Sequence, residues 1–406
     1  MQHPYADRPD WAFWARAVAA VPPPAVDPVV SMPFRIGPRD PVATAGSCFA
    51  QHLARHLRRS GFTPLRAEGH GDPRPEGDAL FSARYGNIYT ARQLVQLVDE
   101  AYGLRRPADP VWRRPDGRYV DALRPRIAPE GFATPEDALA ARLPHLDAVR
   151  RVLEDCAVFV FTLGLTEAWL SEADGTAYPI APGVVAEGGP CRFHDFSAAE
   201  VEADLAGFVG RLRDVNPAAR VLLTVSPVPL VATAGDRHVL PATILSKSKL
   251  RVAAEEVSRR LPGVAYFPSY DLVTSLGPRA FDEDRRTVLP RVVNAVMAVF
   301  TRHLLAGADP PAAEAAAQPP LDGTTPPEVP AVAPSPKAPG SDAPNPGTPG
   351  PATSGPATPE TDAPETDAPE TDAPETNVPE TDTQDDVGDP LLTVCDEELY
   401  LARPSR

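Results

Sequence analysis

Apolar positions in this chain follow two patterns. Three stretches are nearly continuous apolar runs: "CAVFVFTLGL" (156–165), "RVLLTVSPVPL" (220–230) and "GVAYFPSYDLV" (263–273). Short runs rich in β-branched and aromatic residues predict strands buried on both faces, as in a parallel sheet. The second run should leave its sheet at Pro227 and Pro229, which cannot donate to a ladder. "VATAGSCF" (42–49) predicts a fourth strand running into a turn. After it the period becomes helical, with Ala50, Leu53, Ala54 and Leu57 on one face. "TARQLVQLVDEAYG" (90–103) predicts a helix with Thr90 as N-cap, Leu94, Leu97 and Val98 on one face and Gly103 as its stop. Further helical patterns cover 136–154, 198–213, 246–261 (with Ser246 as N-cap) and 288–305. This alternation predicts an α/β, doubly wound, mainly parallel sheet, with ligands at the carboxyl ends of the strands.

Composition then divides the chain. Between Ala306 and Pro390 there are 17 Asp or Glu against one Lys, so this segment carries the whole net charge of −16. It also holds 21 of the 52 prolines and no aromatic residue, which predicts a disordered acidic tail. A five-residue repeat runs inside it: ETDAP at 360–364, 365–369 and 370–374, then ETNVP at 375–379. A proline every fifth residue blocks helix and sheet pairing and favours an extended acidic spacer. The organisation expected is a lead-in over 1–40 packing on the domain, a folded domain over 41–305, the Pro/acidic linker 306–390, and a C-terminal segment 391–406. That last segment regains Leu391, Leu392, Val394, Leu399 and Leu401, and is expected to dock on the domain or on a protein partner.

No basic stripe suggests nucleic acid, and no apolar run approaches a membrane span. The start lacks the pattern of a secretory signal, and four cysteines (Cys48, Cys156, Cys191, Cys395) show neither zinc-ligand nor disulfide spacing. A cytoplasmic protein without metal or cofactor is therefore expected.

Strand exits in such a sheet converge on one rim. They bring together Ser47 and Cys48, Gly164 to Glu167, Ser226 to Asp236, and Asp271. A nucleophile at a strand-to-helix turn is exposed, faces free helix N–H groups and gains from the helix dipole. The bland reading makes Ser47 an N-cap and Cys48 a small buried filler. Of eight His residues, His238 on a rim loop is the preferred base, while His194 falls in an irregular stretch able to fold over the site. Gly164 would let a ligand approach the backbone, Thr166 could donate to an oxyanion, and Glu167 could act as acid or orienting carboxylate. The same residues would equally serve as a helix start. Lys247, Lys249 and Arg251 could hold an anion or form a solvated helix face.

The stretches "ATAGSCFAQHLARHL", "FSARYGNIYTARQL", "VFTLGLTEAWL", "TVSPVPL…HVL" and "YFPSYDLV" resemble the GSCFA family, over about residues 5 to 300. That family looks related to the SGNH, or GDSL-type, hydrolases and acyltransferases. The resemblance implies a flavodoxin-like sheet and a serine-esterase-like site. Matched by position, Gly46-Ser47-Cys48 corresponds to Gly-Asp-Ser and puts Cys48 at the nucleophile, whereas a shift of one puts Ser47 there. Gly86, with Asn87 beside it, and Gly164, Thr166 and Glu167 correspond to the oxyanion blocks. The final Asp-x-x-His is replaced by Asp284-Arg285-Arg286-Thr287, and no His occurs between 239 and 302. Asp284 remains a possible orienting acid. The expectation is an acyl-ester hydrolase or acyltransferase acting on a glycan or glycolipid. The alternative is a degenerate domain that binds a saccharide or a protein.

Overall fold

The computed structural model describes residues 3–68 and 81–308. In chain order its elements are β1 (Val42–Gly46), α1 (Ala50–Arg59), α2 (Ala91–Ala101), β2 (Val111–Arg113), β3 (Tyr119–Asp121), α3 (Pro135–Asp155), β4 (Val158–Leu163), β5 (Glu167–Ser171), β6 (Ala177–Tyr178), β7 (Cys191–Asp195), α4 (Ala198–Val215), β8 (Arg220–Val225), α5 (Val239–Arg260), β9 (Val264–Phe267), α6 (Ser269–Ser275) and α7 (Pro290–Leu304). A parallel sheet in the order β1-β4-β8-β9 carries the fold. Its strands are in register at their carboxyl ends, where Gly46 pairs with Thr162, Thr162 with Thr224 and Thr224 with Phe267. Outside β1, Pro64 forms a parallel bridge with Val42, and Leu65 donates its N–H to the Val42 carbonyl at 2.8 Å.

Alternate residues of each strand feed opposite faces, as a period of two requires. Ala43, Ala45, Phe159, Phe161, Val221 and Leu223 pack with residues of α2, α3, α4 and α5. Val42, Val158, Val160 and Leu222 pack on the other side with α1 and α7, against Leu53, Leu57, Met297 and Phe300. Because both faces are covered, the strands contain no polar alternation, and this made them readable in the sequence.

Two antiparallel excursions interrupt the alternation: the β2–β3 pair, and a three-stranded sheet in the order β6-β5-β7 between β4 and α4. Neither was expected. His194 accordingly lies on a strand, not in an irregular stretch. Helix α5 starts at Val239 and not at Ser246, so Ser246 is a buried mid-helix residue and His238 is the N-cap. The run 263–273 splits at Pro268 into β9 and α6. Helix α2 keeps its predicted cap, with Thr90 and Gln93 forming a reciprocal capping box.

In the lead-in, short helical turns over 10–12, 15–19 and 23–25 bury no residue, while Val29, Met32 and Phe34 pack on the second core. Asp27 secures this segment to α7 through His303 at 2.8 Å and through Arg302. Except for 306–308, the acidic segment with its ETDAP repeats lies outside the described residues, as does the C-terminal segment 391–406. Among the described residues no helix is long and apolar enough to cross a membrane.

Candidate active site

Gly46 sets the geometry of the β1–α1 turn. Its φ of +132° is in the region that favours glycine, and a Cβ there would stand 2.3 Å from the Thr162 carbonyl oxygen. The chain can therefore lie flat against β4, and Ser47 donates its N–H to that same carbonyl at 3.0 Å. A tight turn follows, in which the N–H groups of Ala50 and Gln51 donate to the carbonyls of Ser47 and Cys48 at 2.9 and 3.1 Å.

Helix α1 has no side-chain cap, and its N-cap residue is Phe49. The Ser47 capping role is thus absent: among the described residues the buried Ser47 hydroxyl finds no hydrogen-bond partner, and neither does the neighbouring Thr162 hydroxyl. Among the described residues, the N–H groups of Cys48 and Phe49 also find no acceptor. Two N–H donors and two hydroxyls stay unspent at the positive end of a helix. A buried hydroxyl without a partner costs about 1–3 kcal/mol, so this is an expensive arrangement to keep for packing alone. The Cys48 side chain itself is buried, with the residue only 3% exposed.

Two further segments are laced to this turn. Ile88 donates its N–H to Gly46 O at 2.9 Å, Thr44 donates to the Ser82 hydroxyl, and Tyr85 OH donates to Thr44 O. Gly86, in a left-handed conformation at φ +68°, turns the chain between these anchors and presents Asn87 as a buried neighbour. The Tyr89 carbonyl accepts the N–H groups of Gly164 and Leu165 at 2.9 and 3.2 Å. A Cβ on Gly164 would fall 3.1 Å from Ser47 Cβ and 3.0 Å from the Tyr89 ring, so only glycine fits easily between them. Gly46, Ser47, Cys48, Gly86, Asn87 and Gly164 therefore form one cluster at the carboxyl ends of β1 and β4.

Thr166 and Glu167 lie at the edge of this cluster. Glu167 opens a strand, so the helix-start reading of this block does not apply. The Thr166 hydroxyl donates to Asp195 Oδ1 at 2.6 Å, and its N–H donates to the Ser246 hydroxyl at 3.0 Å. Glu167 accepts from the Thr233 hydroxyl at 2.7 Å and the Ala234 N–H at 3.3 Å. Burial raises the Glu167 pKa above the usual carboxylate range, with Asp195 adding to the effect against the bonds from Thr233 and Ala234. None of the three basic residues at 247–251 forms a simple solvated face. Lys247 is buried and donates to Gly164 O, Lys249 pairs with Asp195 at 2.7 Å, and Arg251 pairs with Asp271 and Glu255.

The residues considered for proton transfer are differently placed. His238 is exposed and caps α5, its Nδ1 accepting the Leu240 N–H at 3.1 Å. The cap occupies the Nδ1 lone pair that a base would use. Asp284 is exposed; its Oδ1 accepts the N–H groups of Arg286 and Thr287, both at 2.8 Å, and its Oδ2 accepts the Thr287 hydroxyl at 2.6 Å. These bonds hold its pKa below the ordinary value against a desolvation cost. Arg286 reaches back to the Pro229 carbonyl and fixes this loop beside the β8 exit.

Ser246, Lys247 and Asp195 border the candidate site through bonds to Thr166 and Gly164, roles that the sequence reading missed. For Ser246 a signal existed: Ala242, Ser246, Leu250, Ala253 and Val257 recur at helical spacing, which puts a serine on the apolar face. Asp195 had no such signal, because its strand is defined only by its partner.

Cys48, Cys156 and Cys191 are free thiols. Burial pushes the Cys156 thiol up to about 12 and raises Cys191 as well. Among the described residues, no three His, Cys, Asp or Glu side chains converge as a metal site would need. A search of curated proteins gives no match. The sequence matches the GSCFA family over residues 41–300, and with more than half of its length covered, the chain belongs to the GSCFA family.

Proposed function

We propose that the chain is an SGNH-type acyl-ester hydrolase or O-acyltransferase acting on a glycan or glycolipid. One observation carries this reading: the unspent N–H groups of Cys48 and Phe49 beside the unpartnered Ser47 hydroxyl, at a strand-to-helix elbow. The parallel order β1-β4-β8-β9, with the 63–65 segment beside β1, supports a flavodoxin-like sheet of the kind SGNH enzymes use. The glycan itself comes from that likeness, since one fold hosts many functions.

In this reading Cys48 Sγ, or Ser47 Oγ, bonds to the acyl carbonyl carbon. The carbonyl oxygen takes up the electron pair and is held by the elbow N–H groups and Gly86. The Thr166 hydroxyl is already committed to Asp195, so the elbow donors carry the larger share. Collapse breaks the bond from the acyl carbon to the sugar oxygen, which leaves with the proton that His238 took from the nucleophile. Water, or a second hydroxyl in the transferase case, then displaces the enzyme and restores its thiol or hydroxyl.

The second reading is a non-catalytic binding domain. It is favoured by the use of His238 and Asp284 as local caps, with Thr287 where a base would stand. Intact-mass labelling with a fluorophosphonate and, separately, with iodoacetamide discriminates between the two. Fast single labelling lost in Ser47→Ala or Cys48→Ala supports the enzyme, and its absence supports the binding domain.

A further inference from the structure

Beyond Thr166, the three-stranded sheet sets a row of carboxylates and a row of aromatic rings on one face. β5 and β7 run antiparallel, with Glu167 opposite Asp195 and Trp169 opposite Phe193. Residues two apart share a face, so these four side chains lie together while Ala168 and Leu170 turn into the core. The Trp169 and Phe193 rings meet edge to face with centroids 5.9 Å apart, and both remain half-buried. The loop after β8 borders the face, since a Cβ on Gly235 would stand 3.8 Å from the Phe193 ring.

This face is not what stability alone would select. Like charges directly opposite each other on antiparallel strands are destabilising. Here the carboxylate pair is kept and managed: Lys249 pairs with Asp195, Thr166 donates to Asp195, and Thr233 and Ala234 donate to Glu167. Local costs of this kind concentrate at functional sites. Lys249 pairs with Asp195 and the Arg237 charge reaches Glu167, so part of the negative charge of the carboxylate pair is offset. That offset, with Lys249 already seated on Asp195, disfavours an organic cation. Aromatic rings beside acceptor-only carboxylates suit a neutral ligand with an apolar face and several hydroxyl donors.

We infer that the β5–β7 face is a saccharide subsite, with a pyranose C–H face on Trp169 and Phe193 and its hydroxyls donating to Glu167 and Asp195. The two rows are about 7 Å apart along the strands, which suits a single sugar ring bridging them. Glu167 adjoins Thr166 at the rim, so a sugar held here directs its remaining substituents toward the elbow. That last point rests on the acyl-ester reading; the binding itself does not.

Saturation-transfer NMR on the full chain tests this, with methyl β-glucoside, methyl β-galactoside, methyl α-mannoside and methyl N-acetyl-β-glucosaminide as probes and choline as the cationic control. At least one glycoside is expected to bind saturably in the millimolar range. Affinity should fall about tenfold in Trp169→Ala and Phe193→Ala and return in Trp169→Phe. Saturable binding by no glycoside, binding by choline alone, or glycoside binding indifferent to Trp169→Ala would overturn the inference. Glycoside binding without elbow labelling removes the enzyme reading and leaves this one; elbow labelling without glycoside binding does the reverse.

Discussion

The β1–α1 elbow and the 281–288 loop occupy the same rim and treat hydrogen-bonding groups in opposite ways. At the elbow, two buried hydroxyls and two N–H groups have no partner among the described residues. In the loop, Asp284 accepts three bonds, Asp282 and Thr287 are joined through their backbones, and Arg286 ties the loop to Pro229. The loop even holds Arg285 at a left-handed φ of +55° to complete its closure. Buried polar groups without a protein partner call for an explanation, which the loop does not need and the elbow does. Under the acyl-ester proposal the elbow donors would receive the acyl oxygen, whereas the loop spends its polar groups on its own closure.

The largest break in this contrast is Gly46→Ala. A methyl group 2.3 Å from a backbone oxygen, at a φ that L residues avoid, should cost about 3 kcal/mol or more and separate β1 from β4. Urea denaturation reads this as a large fall in midpoint. Retention of wild-type stability would show that the elbow is not held as described.

The support beneath the elbow should be sensitive to acid. His145 is fully buried, packs edge-on to Tyr85 and contacts Glu68 at 2.7 Å. Burial, with Arg124 adding to it, lowers its pKa from 6.5 to about 4, so at neutral pH this contact is a hydrogen bond from an uncharged ring. The folded state binds this proton less readily than the unfolded chain. Stability is therefore fully present above pH 6.5 and is lost as the pH falls through about 4, by on the order of 3 kcal/mol. His145→Gln should flatten that part of a stability-against-pH curve, and an unchanged slope would assign the acid sensitivity elsewhere.

Smaller effects probe the closed loop. Asp284→Ala removes three local bonds at an exposed site and should cost about 1 kcal/mol in thermal unfolding without slowing elbow labelling. A loss of labelling with unchanged stability would instead make Asp284 part of the chemistry. Arg285→Gly relieves the left-handed φ and should be close to neutral or stabilise by up to about 1 kcal/mol.

The same contrast explains what could be read from the sequence. The strands β1, β4 and β8 were legible because burial on both faces leaves an uninterrupted apolar run, and α2 because its cap and stop are local. The elbow was legible as Gly-Ser-Cys between strand and helix. Strands β5 and β7 were not, since each has five residues and mixes charged with aromatic side chains, so their state depends on pairing with each other. The start of α5 was misplaced because Pro241 looks like a loop residue, although proline is tolerated in a first turn. The pairing of Asp195 with Lys249 and Thr166 joins β7, α5 and the β4–β5 connection and leaves no local trace.

The most direct test of the central claim is intact-mass labelling of wild type, Ser47→Ala and Cys48→Ala, with a fluorophosphonate and with iodoacetamide in separate reactions. The raised thiol pKa values of Cys156 and Cys191 make them slow competitors, and a Cys395→Ser background removes the fourth thiol. One fast adduct is expected, and it disappears in only one of the two elbow variants. Slow or absent labelling of all three proteins by both reagents would contradict it and leave the elbow as a binding surface.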